Sequence, residues 1–165
     1  MADIVVREDM AVGDAETVLH LLPPAVVPSA TIPTLVAAVA SDPRARCAFV
    51  LDPDSRLLGV VDESDLDRDL ALLLTPESTS VEQTGIRALS QAARGVHETA
   101  QHLMHPAVTV RVSDRIGDAV HRMRAGGEET AALIDGDGRL LGYLSLFEVL
   151  GALLEAAGGT ASWVA

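Results

Sequence analysis

The sequence predicts an α/β fold of the α+β kind, made of two β-α-β-β-α units in tandem. One eight-residue stretch occurs twice, as Asp52-Pro-Asp-Ser-Arg-Leu-Leu-Gly59 and Asp135-Gly-Asp-Gly-Arg-Leu-Leu-Gly142, identical at six of eight positions and 83 residues apart. Apolar runs flank each copy. The Asp, Gly, Pro and Ser between those runs favour tight turns, so each copy reads as a β-hairpin. Apolar stripes at helical spacing precede and follow both hairpins in the same order, which extends the repeat to a whole unit.

In chain order, Ile4-Val-Val6 leaves open a short strand or a loose segment. Ala15 to Leu22 reads as a short helix ended by Pro23-Pro24, because proline lacks the amide and restricts the residue before it. A strand is expected at Ala25-Val-Val27. Ile32, Leu35, Val36, Val39 and Ala40 then form one helical stripe, with Ser29 or Thr31 available as a cap and Pro43 closing the helix. After the first hairpin, Leu66, Leu70, Leu73 and Leu74 line one face of an otherwise acidic helix that Pro76 ends.

Residues 75–85 are polar and turn-rich and read as a linker. Ile86, Leu89, Ala93, Val96, Ala100 and Leu103 give a narrow seam along a long helix over about 86–104, which leads into the second unit. There a strand within 105–112 and a helix capped by Ser113-Asp114 come first. That helix carries Ile116, Ala119, Val120 and Met123 and stops at Gly126-Gly127. The second hairpin and a last helix with Leu146, Val149, Leu150, Leu153 and Leu154 on one face complete the repeat. The expected units are 15–74 and 86–157.

The composition excludes several function classes. With 48% hydrophobic residues among 165, the chain can bury an ordinary core. No apolar run approaches the roughly 20 residues of a spanning helix, and the N-terminus lacks the pattern of a signal peptide, so a cytoplasmic location without membrane attachment is expected. The net charge is −12, with 14 acids against 5 bases in residues 1–80. Nucleic acid is excluded as a partner by that charge and by an aromatic content of 2%. Cys47 is the only cysteine, which rules out an internal disulfide. No nucleophile elbow, phosphate-binding glycine loop or H-E-x-x-H helix occurs, and the absence of Lys excludes Schiff-base chemistry. The chain does not read as an enzyme.

The β-α-β-β-α unit carrying D-x-D-x-R-L-L-G, used as a pair, resembles the cystathionine β-synthase-type or CBS domain. The resemblance covers residues 15–74 and 100–156 and is strongest in Leu103-Met-His-Pro-Ala-Val-Thr-Val110 and in Ala131 to Ser145. It implies a pseudo-twofold pair (a Bateman module), often dimeric, that binds adenosine derivatives between its units. Many members carry G-h-h-[ST]-x-x-D before the last helix, where the hydroxyl and carboxylate serve the ribose. This chain has Gly59-Val-Val-Asp62-Glu-Ser-Asp65 and Gly142-Tyr-Leu-Ser145-Leu-Phe-Glu148, neither a full match. The usual proline of the second strand is replaced by Phe49 and Ala132.

Carried over residue by residue, the resemblance makes Asp65 and Glu148 the ribose acceptors, since a carboxylate takes strong charge-assisted bonds from hydroxyls. Ser145 and Asp62 stand beside them. Val26, Val27, Val108, Thr109 and Val110 would line an adenine slot, or serve only as core. Arg46, Arg111 or Arg115 would meet phosphate. Asp62 stands where a hydroxyl is usual and repels phosphate, which favours AMP-like or S-adenosylmethionine-like ligands over a triphosphate.

The same pairs, Asp62 with Asp65 and Ser145 with Glu148, have capping-box spacing, and capping is the competing reading. Asp62, Asp65 and Asp69 share a helical face that suits loosely bound Mg²⁺, against the reading of a solvated face. An EF-hand from Asp52 fails, with Leu57 where glycine is required. His97, His102 and His105 read as surface residues, not zinc ligands. The expected function is an adenosine-sensing regulatory module that needs no cofactor and acts through its own homodimer or an effector protein. A ligand-free interaction module is the alternative, and an Mg²⁺ sensor the third.

Overall fold

The computed structural model describes residues 5–67 and 98–158. The linker over 75–85, the seam before residue 98, Asp69, His97 and Trp163 lie outside the described residues. The fold is mixed α+β, with seven strands and five helices among those described. The strands are β1 (Leu19–His20), β2 (Ala25–Val26), β3 (Cys47–Leu51), β4 (Leu57–Asp62), β5 (Thr109–Val110), β6 (Thr130–Ile134) and β7 (Leu140–Ser145). The helices are α1 (Ile32–Ser41), α2 (described over 63–67), α3 (Ala100–Leu103), α4 (Ile116–Gly126) and α5 (Leu146–Ala156). Among the described residues, no helix is long and apolar enough to cross a membrane.

The chain divides into two compact units that do not follow chain order. One unites residues 1–23, 55–57 and 107–165; the other holds 24–54 and 58–106. The first is built on the second repeat. Its sheet runs β1-β7-β6-β5, with β1 and β6 antiparallel to β7 and β5 parallel to β6. Ile116, Ala119 and Met123 of α4 are buried in its core with Val110, Leu133, Leu144 and Val149, as the apolar stripe requires. The N-terminal segment joins this core through Val6, Val12, Ala15 and Val18. Its backbone is tied down as well, by Val12 donating to the Asp114 carbonyl at 2.8 Å and Gly117 donating to that of Glu8 at 2.9 Å.

In the unit built on the first repeat the sheet runs β2-β3-β4, with β2 parallel to β3. Leu35 and Val39 of α1 pack with Ala48, Val50, Val61, Leu66 and Ala100. Val36, expected in the stripe, is on its margin at 37% exposure. Beyond β4, His105 pairs with Val60 by two backbone bonds of 2.9 and 3.0 Å. His105 thus takes the edge position here that β1 takes in the other unit. In both cases the residues just ahead of one repeat complete the sheet of the other, a connectivity the repeat pattern alone does not reveal.

Three local expectations change. Ala15–Leu22 is not a helix: a 3-10 turn at Val12–Asp14 precedes β1, and Leu21 and Leu22 are exposed at 65% and 89%. Strand pairing with β7 outweighs a helical preference spread over too few residues to nucleate a stable helix alone. Of the helix expected over about 86–104, the described part starts only at Ala100 of α3, because Thr99 is extended at φ −125° and caps it. His102 completes that capping box, which accounts for this histidine without a metal. Finally, neither Thr31 nor Asp114 caps its helix through its side chain. Asp114 instead accepts from the Arg111 amide at 3.1 Å and from Arg122 Nη1 at 2.7 Å.

Candidate functional site

Each repeat ends its hairpin on the residues singled out for ligand contact, so the site grows from the junction of hairpin and last helix. In the second-repeat unit Ser145 closes β7, pairs with Thr130 across the sheet and stands at the N-cap of α5. It is 6% exposed, and its hydroxyl makes no cap bond and has no hydrogen-bond partner among the described residues. Leaving a buried hydroxyl unpaired costs about 1–3 kcal/mol, so a group at this position calls for an explanation.

Glu148, one turn on, does not complete a capping box either. Its Oε2 accepts a hydrogen bond from His20 Nε2 at 2.5 Å, and the two side chains are 34% and 16% exposed. The His20 ring in turn stacks on the buried Tyr143, with centroids 4.7 Å apart and planes 24° apart. This arrangement follows from register, since β1 places His20 directly opposite Tyr143. Close approach is possible because Gly142 lacks a side chain; a Cβ there would strike the His20 carbonyl.

The first-repeat unit repeats the theme with other residues. His105 Nε2 lies 2.8 Å from Asp62 Oδ2 and 3.6 Å from Asp65 Oδ2. Asp65 also accepts from the Asp62 amide at 3.5 Å, a capping bond of the expected box and a weak one. Gly59 makes room for the His105 carbonyl as Gly142 does for that of His20. The histidine that the sequence assigned to the surface is therefore the partner of two candidate ribose acceptors.

The remaining candidates divide by burial. Val26 and Val110 belong to the cores of their units. Val108 and Thr109 are half-buried, Val27 is 58% exposed, and Arg111 is exposed. Arg46, at φ 51°, donates through Nε to Glu63 Oε2 at 2.9 Å. It borders a groove of about 520 Å³ whose described walls include Val36, Val39, Leu66 and Asp67. Phe49 and Ala132, standing where the family carries proline, are buried β-strand residues.

Two site residues escaped the sequence reading, His20 and Tyr143. The available signal was that a histidine precedes the first strand of each repeat, at 20 and at 105. Assigning 15–22 to a helix concealed it.

The second hairpin turn is held by its own aspartate. Asp135 Oδ1 accepts from the amides of Asp137 and Arg139 at 2.8 and 2.9 Å. These amides, that of Arg139 foremost, hold its carboxyl below the usual range.

Residues 100–155 match the family model of the CBS domain. A comparison with curated proteins finds no match. Among solved structures, the chain is similar to a CBS domain-containing protein from Thermotoga maritima, at 20% identity and a TM-score of 0.68 over 90% of this chain and 97% of that one. It is also similar to Arabidopsis thaliana CBSX2 in complex with AMP, at 22% identity and a TM-score of 0.62 over 90% and 98% of the two chains. A third similar structure is the CBS domain of a bacterial CNNM/CorC family Mg²⁺ transporter in complex with ATP, at 17% identity and a TM-score of 0.59 over 89% of each chain. The match to the CBS domain model thus spans residues 100–155, and the chain as a whole has the fold of the CBS-domain pair proteins.

Proposed function

We propose that this chain is a non-enzymatic regulatory module that binds an adenosine-containing ligand, AMP-like or S-adenosylmethionine-like. Its occupancy would be passed on through a homodimer or to an effector protein. The observation that carries this reading is Ser145, a buried hydroxyl without a partner among the described residues, one turn before a carboxylate at the start of α5. A hydroxyl and a carboxylate at that spacing suit the hydroxyls of a sugar. The helix N-terminus adds a modest preference for an anionic ligand group. The similar structures bound to AMP and ATP support an adenine nucleotide as the class to try first. Ligand would shift the balance between conformations only by its difference in affinity for them.

In the first-repeat unit Asp62 and Asp65 already share His105. Glu148 is held by His20 likewise, and it is the Ser145 hydroxyl, replaced by Asp62 in the first repeat, that favours the second-repeat residues as the principal ligand contacts.

Calorimetric titration with AMP, ATP and S-adenosylmethionine, each with and without Mg²⁺, tests the proposal. Saturable binding of an adenosine compound without Mg²⁺ is expected. Heat from Mg²⁺ alone, lost in Asp62→Ala, would support the cation sensor instead. No heat with any of them would favour the ligand-free interaction module.

A further inference from the structure

Glu148 is one carbon longer than Asp65, its counterpart in the first repeat, and a longer side chain loses more rotamer freedom when it must hold one geometry. The structure supplies a restraint at that position. His20 is fixed by strand pairing with β7, by the stack on Tyr143 and by the space above Gly142, and it holds one oxygen of the Glu148 carboxylate. Oε2 is engaged while Oε1 makes no hydrogen bond among the described residues. The recurrence of a histidine against the corresponding carboxylates of the other repeat, from an equivalent sheet edge, argues that the contact is a built feature of both units.

We propose that His20 is a positioning residue of the ligand site. Resting on the reading of Ser145 and Glu148 as ligand contacts, its role is to orient Glu148 so that the remaining oxygen meets a ribose hydroxyl. That orientation makes the site selective for ribonucleotides over 2′-deoxyribonucleotides. Bond by bond, His20 Nε2–H donates to Oε2, and Oε1 accepts from the sugar. Removing the donor frees Glu148 to other rotamers without touching whatever holds the base.

The test is calorimetric titration of the intact chain with AMP and with 2′-deoxy-AMP, using wild type, His20→Phe and His20→Gln. Phenylalanine keeps a ring on Tyr143 but cannot donate; glutamine can donate but cannot stack. Wild type is expected to prefer AMP about tenfold, the worth of one charge-assisted bond. His20→Phe is expected to lose that preference by weakening AMP alone, and His20→Gln to retain most of it. Equal weakening of both nucleotides in His20→Phe, no change, or tighter AMP binding would each overturn the positioning role while leaving the ligand reading intact. Wild type binding neither nucleotide would overturn both. Circular dichroism and melting curves of both variants exclude misfolding as the source of any loss.

Discussion

The carbonyl oxygen of His105 lies 2.7 Å from where a Cβ on Gly59 would stand. The obstacle is backbone in a paired strand, so neither side can yield cheaply. Gly59→Ala is therefore expected to destabilise the protein by about 1–3 kcal/mol, read as a lower urea midpoint. Gly142→Ala, facing the His20 carbonyl, should behave alike. Gly136→Ala, with no atom near its added carbon, should stay within about 0.5 kcal/mol of wild type. Three equal outcomes would show that the histidine segments are not seated as described.

The hairpins offer a matched pair. Ser55 has φ 64° and Gly138, its equivalent in the second copy, has φ 81°. Left-handed backbone disfavours a side chain by roughly 1 kcal/mol. Ser55→Gly should raise the melting temperature and Gly138→Ala should lower it; the reverse order would contradict the assigned turn geometry.

Ser145→Ala separates stability from function. Removing a buried hydroxyl that has no partner among the described residues should leave the ligand-free protein as stable as before, or more stable by up to about 1 kcal/mol, while AMP binding weakens several-fold. A large loss of stability would mean the hydroxyl is structural.

Asp114 predicts a specific acid response. Burial alone would raise its pKa, but Arg122 and the Arg111 amide outweigh that and hold it below the usual range. A depressed folded-state value means the contribution is fully present above the unfolded value of about 3.9 and disappears as pH falls through the folded one. Asp114→Asn should cost about 1 kcal/mol at pH 7, given that Arg122 is 46% exposed and screened. As pH falls through the depressed folded-state value, the variant and wild type should converge. Denaturant midpoints against pH check this, and a gap that persists in acid would contradict it.

The parts of the fold that were legible in the sequence are those whose signal is local. Repeated turn chemistry located both hairpins, and the 3.6-residue stripes located α1 and α4, whose Leu35, Val39, Ile116 and Met123 are buried as expected. Gly127, at φ 72°, ends α4 where the Gly-Gly pair predicted. The failures share a cause, which is partners distant along the chain. β1 forms because β7, more than a hundred residues later, offers an edge. The spacing of Ser145 and Glu148 fits a capping box, yet Glu148 turns to a histidine 128 residues away. Local patterns could nominate the carboxylates; only the tertiary fold could bring the histidines to them.

A crystal structure of the chain grown with AMP decides whether Glu148 and Ser145 hold the nucleotide. Ribose hydroxyls are expected within about 3.2 Å of the Glu148 carboxylate, with the Ser145 hydroxyl newly paired to the nucleotide. AMP bound elsewhere, with Ser145 still unpaired and Glu148 touching only His20, would contradict that expectation.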